Sequence, residues 1–236
     1  PPPKPRHTTN SNHRYHKWKN LIHGFEPMAA NQLWAADITY IMLNNGDVCY
    51  LHLITDAYSR MIVGWELADT LRASITIKAL EQAISQTGGV SLEGLIHHSD
   101  RGVQYCCDDY VRTLQTHKIK ISMTEDYNPT DNAIAERANG VIKTETVYSR
   151  KTFNSLEHAR NVIGRFIHFY NYRRPHMSIG YKIPAVVHTE TGAQKKMWKK
   201  KYYTKKMYNN ENNGISLPCR TTGEDDGCNH HTMYSI

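Results

Sequence analysis

The stretch that decides the fold is residues 33–69, which read LWAADITYIMLNNGDVCYLHLITDAYSRMIVGWELAD. It contains three apolar, β-rich runs, at residues 33–43, 48–60 and 61–69. Between the first two runs stands NNGD, at residues 44–47, a composition typical of a tight turn. The stretch therefore predicts three short antiparallel strands joined by tight turns.

Helical and strand-like segments alternate after this stretch. Apolar residues at helical spacing predict helices at residues 74–87, 105–118, 131–149 and 155–175. Short apolar runs predict two further strands, at residues 95–100 and 119–125. The order is β-β-β-α-β-α-β-α-α, which predicts an α/β fold with a mixed five-stranded sheet and helices on both faces.

The composition is that of a basic protein without signs of export. The 236 residues carry a formal net charge of +7, and no apolar run approaches the ~20 residues needed to cross a bilayer. Residues 1–30 lack the pattern of a signal peptide. The five cysteines are an odd set that includes the adjacent Cys106 and Cys107, which favours a reducing compartment over a disulfide framework. We expect a cytoplasmic protein that does not bind membranes.

Basic residues are concentrated at the two ends of the chain. Residues 1–30 carry five Lys or Arg and one acidic residue, and residues 191–236 carry eight and four. Basic arms around a carboxylate-rich middle suit a nucleic-acid enzyme, and solubilising charge explains them equally well. We divide the chain into a basic leader or remnant of an upstream domain (1–30), a core (31–185) and a basic, mostly disordered tail (186–236).

Three acidic residues stand where a solvated charge is unexpected. Asp37 interrupts an apolar strand, and Asp100 ends the strand LIHHSD. Buried carboxylates are costly unless a cation neutralises them, so the pair suggests a shared metal. Glu136 lies on the predicted helix 131–149, on a face with Asn132, Asn139 and Lys143. Two Mg²⁺ ions held by three acids would activate the attacking oxygen and stabilise the leaving oxygen of a phosphodiester.

Several short sequence motifs resemble those of one protein family, in the same order, over about residues 31–185. They are NQLWAADITYI, YLHLITDAYSRMIVGW, HHSDRGVQY, DNAIAERANGVIKTE and FIHFYNYRRPHMSIGYKIP. They resemble the catalytic core of retroviral integrases and of bacterial insertion-sequence transposases, whose signature is Asp, Asp, a gap of 35 residues, and Glu. The gap between Asp100 and Glu136 is 35 residues.

This resemblance implies a ribonuclease-H-like fold, Mg²⁺ or Mn²⁺ as cofactor, and Asp37, Asp100 and Glu136 as the catalytic, metal-binding residues. It implies cleavage of double-stranded DNA at transposon ends and transfer of the free 3′ hydroxyl into target DNA. It also implies a homo-oligomer on DNA and an upstream helix-turn-helix segment or partner protein, which is not visible in this sequence.

Other residues are candidates for supporting roles. We expect DNA contacts from Lys143, Asn139, Arg101, Arg173 and Arg174, and we expect His98 to pack beside the metal ligands and support them. Asn132 caps its helix or orients Glu136, and capping explains it better. The aromatic residues before the arginine pair, Phe166, Phe169, Tyr170 and Tyr172, are expected in the core. Gly102 is expected to allow a sharp turn after the strand.

Several residues have two interpretations. Asp56 is a candidate metal ligand, although capping or pairing with Arg60 explains it better. Gln104 and Tyr105 would contact DNA or begin a helix. In the tail, Cys219, Cys228, His230 and His231 are zinc-ligand types at a spacing of no common zinc module, and the basic run 195–206 suits DNA binding or a solvated tail. These tail features favour a disordered segment.

Two other functions agree with these patterns. One is a ribonuclease-H-like nuclease that only hydrolyses. The other is a catalytically incomplete remnant that binds DNA through its basic arms. The attacking group, water or a DNA 3′ hydroxyl, separates the first alternative from a transposase, and Mg²⁺ binding separates the second.

Overall fold

The computed structural model describes residues 10–125, 133–147 and 153–194. These residues contain five strands and six helices. The strands are β1 (Leu33–Met42), β2 (Val48–Asp56), β3 (Ile62–Ala68), β4 (Ile96–Ser99) and β5 (Lys120–Met123). The helices are α1 (Ala73–Gln86), α2 (Val103–Cys106), α3 (Asp108–Thr116), α4 (Ala133–Ile142), α5 (Leu156–Tyr172) and α6 (Pro184–Val187). A π-helical segment (Lys143–Val147) continues α4, and a 3-10 turn (Met177–Ile179) follows α5.

The strands form one mixed sheet in the order β3-β2-β1-β4-β5. β1, β2 and β3 pair antiparallel, as the sequence predicts, and the turn at residues 44–47 contains Gly46 at φ 86°. β4 pairs parallel with β1, and β5 pairs parallel with β4. β1 is therefore the central strand. Its one carboxylate, Asp37, pairs with Leu53 of β2 and lies two residues beyond the last β1–β4 pair, Ala35 with His98.

Helices cover both faces of this sheet, as predicted. On one face, Trp34 and Ile38 of β1 pack in a core with Leu80 of α1 and other residues of α1 and α3. On the other face, Ile41 packs with Ile163 of α5 and with apolar residues of α4. Because successive side chains of a strand point to opposite faces, Asp37 lies on the face covered by α4 and α5.

The first helix packs directly on the backbone of β3. A Cβ atom at Gly64 would lie 2.1 Å from the carbonyl oxygen of Ala79 and 3.0 Å from the Cβ of Ala83. Only glycine leaves room for this approach of α1.

The predicted helix 105–118 is wrong in its bounds. Cys107 adopts an extended conformation with φ −68° and ψ 150°, so the segment divides into α2 and α3. Asp108 and Asp109 occupy the first turn of α3, where negative charge is favourable. Gln104 and Tyr105 are buried in α2, and Gln104 donates a hydrogen bond to the carbonyl of Leu71.

Part of the aromatic stretch on α5 also differs from expectation. Tyr170 is buried, but Phe169 and Tyr172 are 46% and 49% exposed. They lie on the outer side of the helix because α5 contacts the sheet along one face only. Of the helices in the described part of the chain, none combines the length and the apolar character that a bilayer crossing needs.

Candidate active site

Asp37 and Asp100 lie at the same level of adjacent parallel strands. The β1–β4 register pairs Ala35 with His98, and the two aspartates each follow by two residues. Alternation along a strand then sets both side chains on the same face of the sheet as Ala35 and His98. Both aspartates are half-buried.

The environment of Asp37 disfavours its charge. Burial, and then the negative charge of Asp100, raise the pKa of Asp37 from 3.8 to about 7, and Glu136 adds to this effect. Asn139 of α4 opposes it by donating a hydrogen bond of 2.7 Å to Asp37 Oδ2. Asp37 is thus held in a fixed orientation beside a second carboxylate.

The loop after β4 orients Asp100. The backbone N–H of Gly102 donates to Asp100 Oδ1 at 2.9 Å. Gly102 has φ −63° and ψ 144°, which any residue adopts, so the expectation that glycine permits a sharp turn here is wrong. A Cβ at this position would lie 2.9 Å from Asp100 Oδ1 and 3.1 Å from Gln104 Oε1. Glycine is suited to this position because it leaves space for the carboxylate.

Glu136 stands in the first turn of α4 and is exposed. Of the effects that raise the pKa of Asp37, its negative charge is the smallest. Among the described residues, no three His, Cys, Asp or Glu side chains are close enough together to hold a metal ion. Coordination by all three acids would therefore require Glu136 to move toward the pair. Asn132, expected to cap the helix or to orient Glu136, lies outside the described residues.

The aspartate pair suits a hard divalent cation. Its donors are carboxylate oxygens, the ligands that Mg²⁺ and Mn²⁺ prefer. The raised pKa of Asp37 shows that two negative charges here are unfavourable without a cation. A divalent ion would remove the repulsion and favour the ionised form of both aspartates.

Lys143 lies close to this pair. Its Nζ is 4.3 Å from the centre of the Tyr40 ring, a cation–π contact. Burial lowers the pKa of Lys143, and the charge of Asp37 opposes this effect. Tyr40, which the sequence interpretation did not single out, thus holds the ammonium group near the carboxylates.

The remaining predicted DNA contacts lie in different environments. Asn139 is 4% exposed and bonded to Asp37, so it supports the carboxylate instead of presenting itself at the surface. Arg101 is half-buried, and Arg173 is exposed after α5. Arg174 forms a bidentate contact with Glu145, with Nε 3.1 and 3.2 Å from the two carboxylate oxygens.

An N-terminal segment, residues 10–23, lies beside the loop that follows Asp100. The carbonyl of Asn10 accepts a hydrogen bond from the N–H of Val103, and His13 Nε2 lies 2.9 Å from the carbonyl oxygen of Arg101. The described part of the predicted leader thus contacts the loop that follows β4 and brings positive charge next to it. Its exposed cations are Arg14, Lys17 and Lys19.

Two histidines before Asp100 and the acid Asp56 have structural partners. His97 Nε2 lies 2.9 Å from the Tyr110 hydroxyl, and His98 Nδ1 lies 2.8 Å from Ser122 Oγ. Burial lowers the pKa of both histidines, which are neutral at pH 7. Asp56 is fully buried and accepts hydrogen bonds from the backbone of Ser59 and Asn31, which confirms the capping interpretation.

The sequence interpretation missed the role of Asn139 as the partner of Asp37. The signal was present in the helix pattern, because Asn139 follows Glu136 by three residues and so shares its face. The zinc-type residues Cys219, Cys228, His230 and His231, and the basic run 195–206, lie outside the described residues.

The sequence matches one protein family and several curated relatives. Residues 27–129 and 117–184 match the family described as Integrase core domain. A putative transposase for insertion sequence element IS986/IS6110 of Mycobacterium tuberculosis (strain ATCC 25177 / H37Ra) is 36% identical over 174 residues, 72% of this chain and 62% of that protein. The insertion element IS600 uncharacterized 31 kDa protein of Shigella sonnei is 40% identical over 182 residues, 76% of this chain and 65% of that protein. The chain thus spans slightly less than two thirds of these relatives.

The fold matches that of a solved integrase core. The catalytic core domain of HTLV-2 integrase, solved in complex with magnesium, superposes with a TM-score of 0.54 at 20% sequence identity. The match covers 69% of this chain and 99% of that one. At this identity the likeness concerns the fold, and it confirms the expected ribonuclease-H-like architecture.

Proposed function

We propose that this chain, which belongs to the integrase-core family of insertion-sequence transposases, cleaves DNA at transposon ends and transfers the 3′ hydroxyl to target DNA. The observation that carries the proposal is the placement of Asp37 and Asp100 at one level of adjacent strands, with Glu136 on the helix above them. A carboxylate cluster of this kind suits phosphodiester chemistry because it concentrates oxygen ligands at one edge of the sheet.

Asp37, Asp100 and Glu136 would hold Mg²⁺ or Mn²⁺, and magnesium in the HTLV-2 core supports this assignment. Two such ions would supply an activated attacking oxygen and a stabilised leaving oxygen. Asp37, on the central strand, would hold the cation together with Asp100. Asn139 orients one of the oxygens of Asp37 and the Gly102 N–H orients Asp100, so the protein orients these two carboxylates without a cation.

Cationic residues around this edge would bind the DNA backbone. Lys143, whose charge is favoured by that of Asp37, would contact a phosphate next to the reacting bond. Arg101, Arg173 and the N-terminal segment would contact phosphates farther along the duplex. Asn139 is assigned instead to the carboxylate.

The assembly that we propose follows from the reaction. Transposition requires two transposon ends to be handled together, so we expect a homo-oligomer on DNA. Recognition of the end sequence is assigned to a helix-turn-helix segment or partner protein. The domain division at residues 30 and 185 also remains a proposal.

A DNA-joining assay tests this function. The chain is incubated with Mn²⁺ and a labelled duplex carrying the terminal sequence of its own element, beside Asp100→Asn and the control Asp69→Asn, an exposed acid. We expect joined products with the unmodified chain and the control, and none with Asp100→Asn. Nicks without joining would favour a hydrolytic nuclease. Joining by Asp100→Asn would refute the assignment of the carboxylates.

A further inference from the structure

The peptide bond between Arg101 and Gly102 is held at both of its polar ends. Its N–H, which belongs to Gly102, donates to Asp100 Oδ1 at 2.9 Å. Its carbonyl oxygen, which belongs to Arg101, lies 2.9 Å from Nε2 of His13, in the N-terminal segment 10–23. A peptide unit is planar, so its C=O and N–H groups turn together. A contact that fixes this carbonyl therefore also fixes the N–H that is bonded to Asp100.

The direction of the contact with His13 follows from its acceptor. A carbonyl oxygen only accepts hydrogen bonds, so Nε2 of His13 carries a proton and donates to the oxygen of Arg101. Hydrogen bonds at the two ends of one peptide polarise each other, since a carbonyl that accepts a hydrogen bond makes the N–H a stronger donor. His13 thus strengthens, as well as orients, the bond from Gly102 to the carboxylate of Asp100.

The N-terminal segment is bonded to the protein on either side of His13. Before it, the carbonyl of Asn10 accepts a hydrogen bond of 3.0 Å from the N–H of Val103, so the next peptide of the same loop is also held. After it, the carbonyl of Lys19 accepts a hydrogen bond of 3.3 Å from the N–H of Met123. Met123 belongs to β5, the edge strand of the sheet, and the segment covers that edge at this point.

Further contacts anchor the segment beyond His13. The N–H of Leu21 donates to Ser122 Oγ at 2.8 Å, and that oxygen lies 2.8 Å from Nδ1 of His98. Trp18 packs against the core on the face of the sheet that carries α1 and α3. Because these contacts hold the segment on both sides of His13, this side chain has a defined position from which to act on the loop.

We propose that His13 is a positioning residue for Asp100, which acts through the peptide between Arg101 and Gly102, and that the N-terminal segment holds it in place. Without the donor of His13, this peptide gains freedom to rotate, and its N–H is bonded to Asp100 Oδ1 for a smaller fraction of the time. The carboxylate then loses the orientation that it has beside Asp37. Only the consequence for cation binding rests on the proposed function.

Amide hydrogen exchange of the metal-free full chain tests the proposal, measured residue by residue by NMR in EDTA. His13→Leu removes the donor, whereas His13→Gln retains an N–H at the reach of Nε2. Loss of one hydrogen bond should speed exchange at the Gly102 amide about fivefold to tenfold in His13→Leu, and His13→Gln should restore most of the protection. The matched control is His23→Leu, which replaces an exposed histidine of the same segment and should leave exchange at Gly102 unchanged.

Three results of this experiment would overturn the proposal. The first is unchanged exchange at Gly102 in His13→Leu. The second is an equal increase at the amides of β2, because His13 would then stabilise the whole fold instead of one peptide. The third is equal exchange in His13→Leu and His13→Gln, since the donor would then have no effect.

The unmodified chain provides a test that requires no variant. The neutral ring of His13 should carry its proton on Nε2, which the chemical shifts of the two ring nitrogens report. A proton on Nδ1 would contradict a hydrogen bond to the carbonyl of Arg101 and would overturn the proposal.

Calorimetry with Mg²⁺ connects His13 to the proposed function. His13→Leu should bind Mg²⁺ about fivefold to tenfold more weakly than the unmodified chain, whereas His13→Gln and His23→Leu should bind it equally well. If the unmodified chain binds no Mg²⁺ while exchange at Gly102 responds as expected, the proposed metal site fails and the positioning role of His13 stands. Equal Mg²⁺ binding by all four proteins would show that the peptide does not position the carboxylate, which overturns the proposal.

Discussion

Replacing Asp37 by Asn should stabilise the metal-free protein at alkaline pH. The folded state raises the pKa of Asp37 from 3.8 to about 7, mainly through burial and the charge of Asp100. Asn removes the charge and retains an oxygen that can accept the hydrogen bond from Asn139. The substitution therefore removes an unfavourable interaction while leaving the local contact in place.

The sign and size of this stabilisation follow from proton binding by Asp37. Between pH 4 and 7 the folded state binds a proton that the unfolded state has lost, so the free energy of unfolding falls as pH rises through this window. The full difference between 3.8 and about 7 corresponds to about 4 kcal/mol. Because Asp37 is only half-buried, solvent screening reduces this, and we expect roughly 2 kcal/mol at pH 8. For a chain of this size that is a gain of about 4–8 °C in Tm.

The assay is thermal and urea unfolding in EDTA at pH 5 and pH 8. Asp37→Asn should be more stable than the unmodified chain at pH 8, with a much smaller gain at pH 5, where Asp37 is already protonated. The control Asp69→Asn removes an exposed charge and should change neither value. An equal gain at both pH values, or no gain at pH 8, would refute the argument that an ionised Asp37 is unfavourable.

Three further substitutions test the surroundings of the carboxylates. Asn139→Ala removes the hydrogen bond to the carboxylate of Asp37, so it should raise the pKa of Asp37 further. The pH profile of Mg²⁺-dependent activity should then shift to higher pH. Gly102→Ala places a Cβ 2.9 Å from Asp100 Oδ1, the end of a side chain that can move. It should therefore weaken Mg²⁺ binding, measured by calorimetry, with little change in the free energy of unfolding. Lys143→Gln should lower the slope of log affinity for DNA against log salt by about 1, whereas the exposed Lys78→Gln should not.

Much of the fold was predictable because its signals are local. Alternation and the NNGD turn in residues 33–69 determine the three antiparallel strands, and helical spacing determines α1 and α5. The division between α2 and α3 was not predictable, since it depends on the extended backbone of Cys107. Exposure of Phe169 and Tyr172 depends on how α5 lies on the sheet, which periodicity alone does not give.

The sequence made the aspartate pair predictable, but not the groups that form hydrogen bonds with it. Asp37 and Asp100 are conspicuous in sequence because each interrupts or ends an apolar strand. The hydrogen bond from Asn139 depends on the depth at which α4 packs over β1, and the space around Gly102 depends on the path of the loop after β4. Both are tertiary facts, so the sequence led to a DNA contact for Asn139 and a turn for Gly102.

The aspartate pair lowers the stability of the metal-free protein, and cation binding is the event that would compensate for this loss. An apolar residue at position 37 would remove the repulsion from Asp100. The contacts from Asn139 and from the Gly102 N–H keep the two carboxylates from turning apart, so the repulsion cannot be relieved by relaxation. In the proposed function, a divalent cation would recover this free energy at the position where we propose that the phosphodiester is held. On this proposal, the reduced stability at one point of the central strand is the counterpart of cation affinity there.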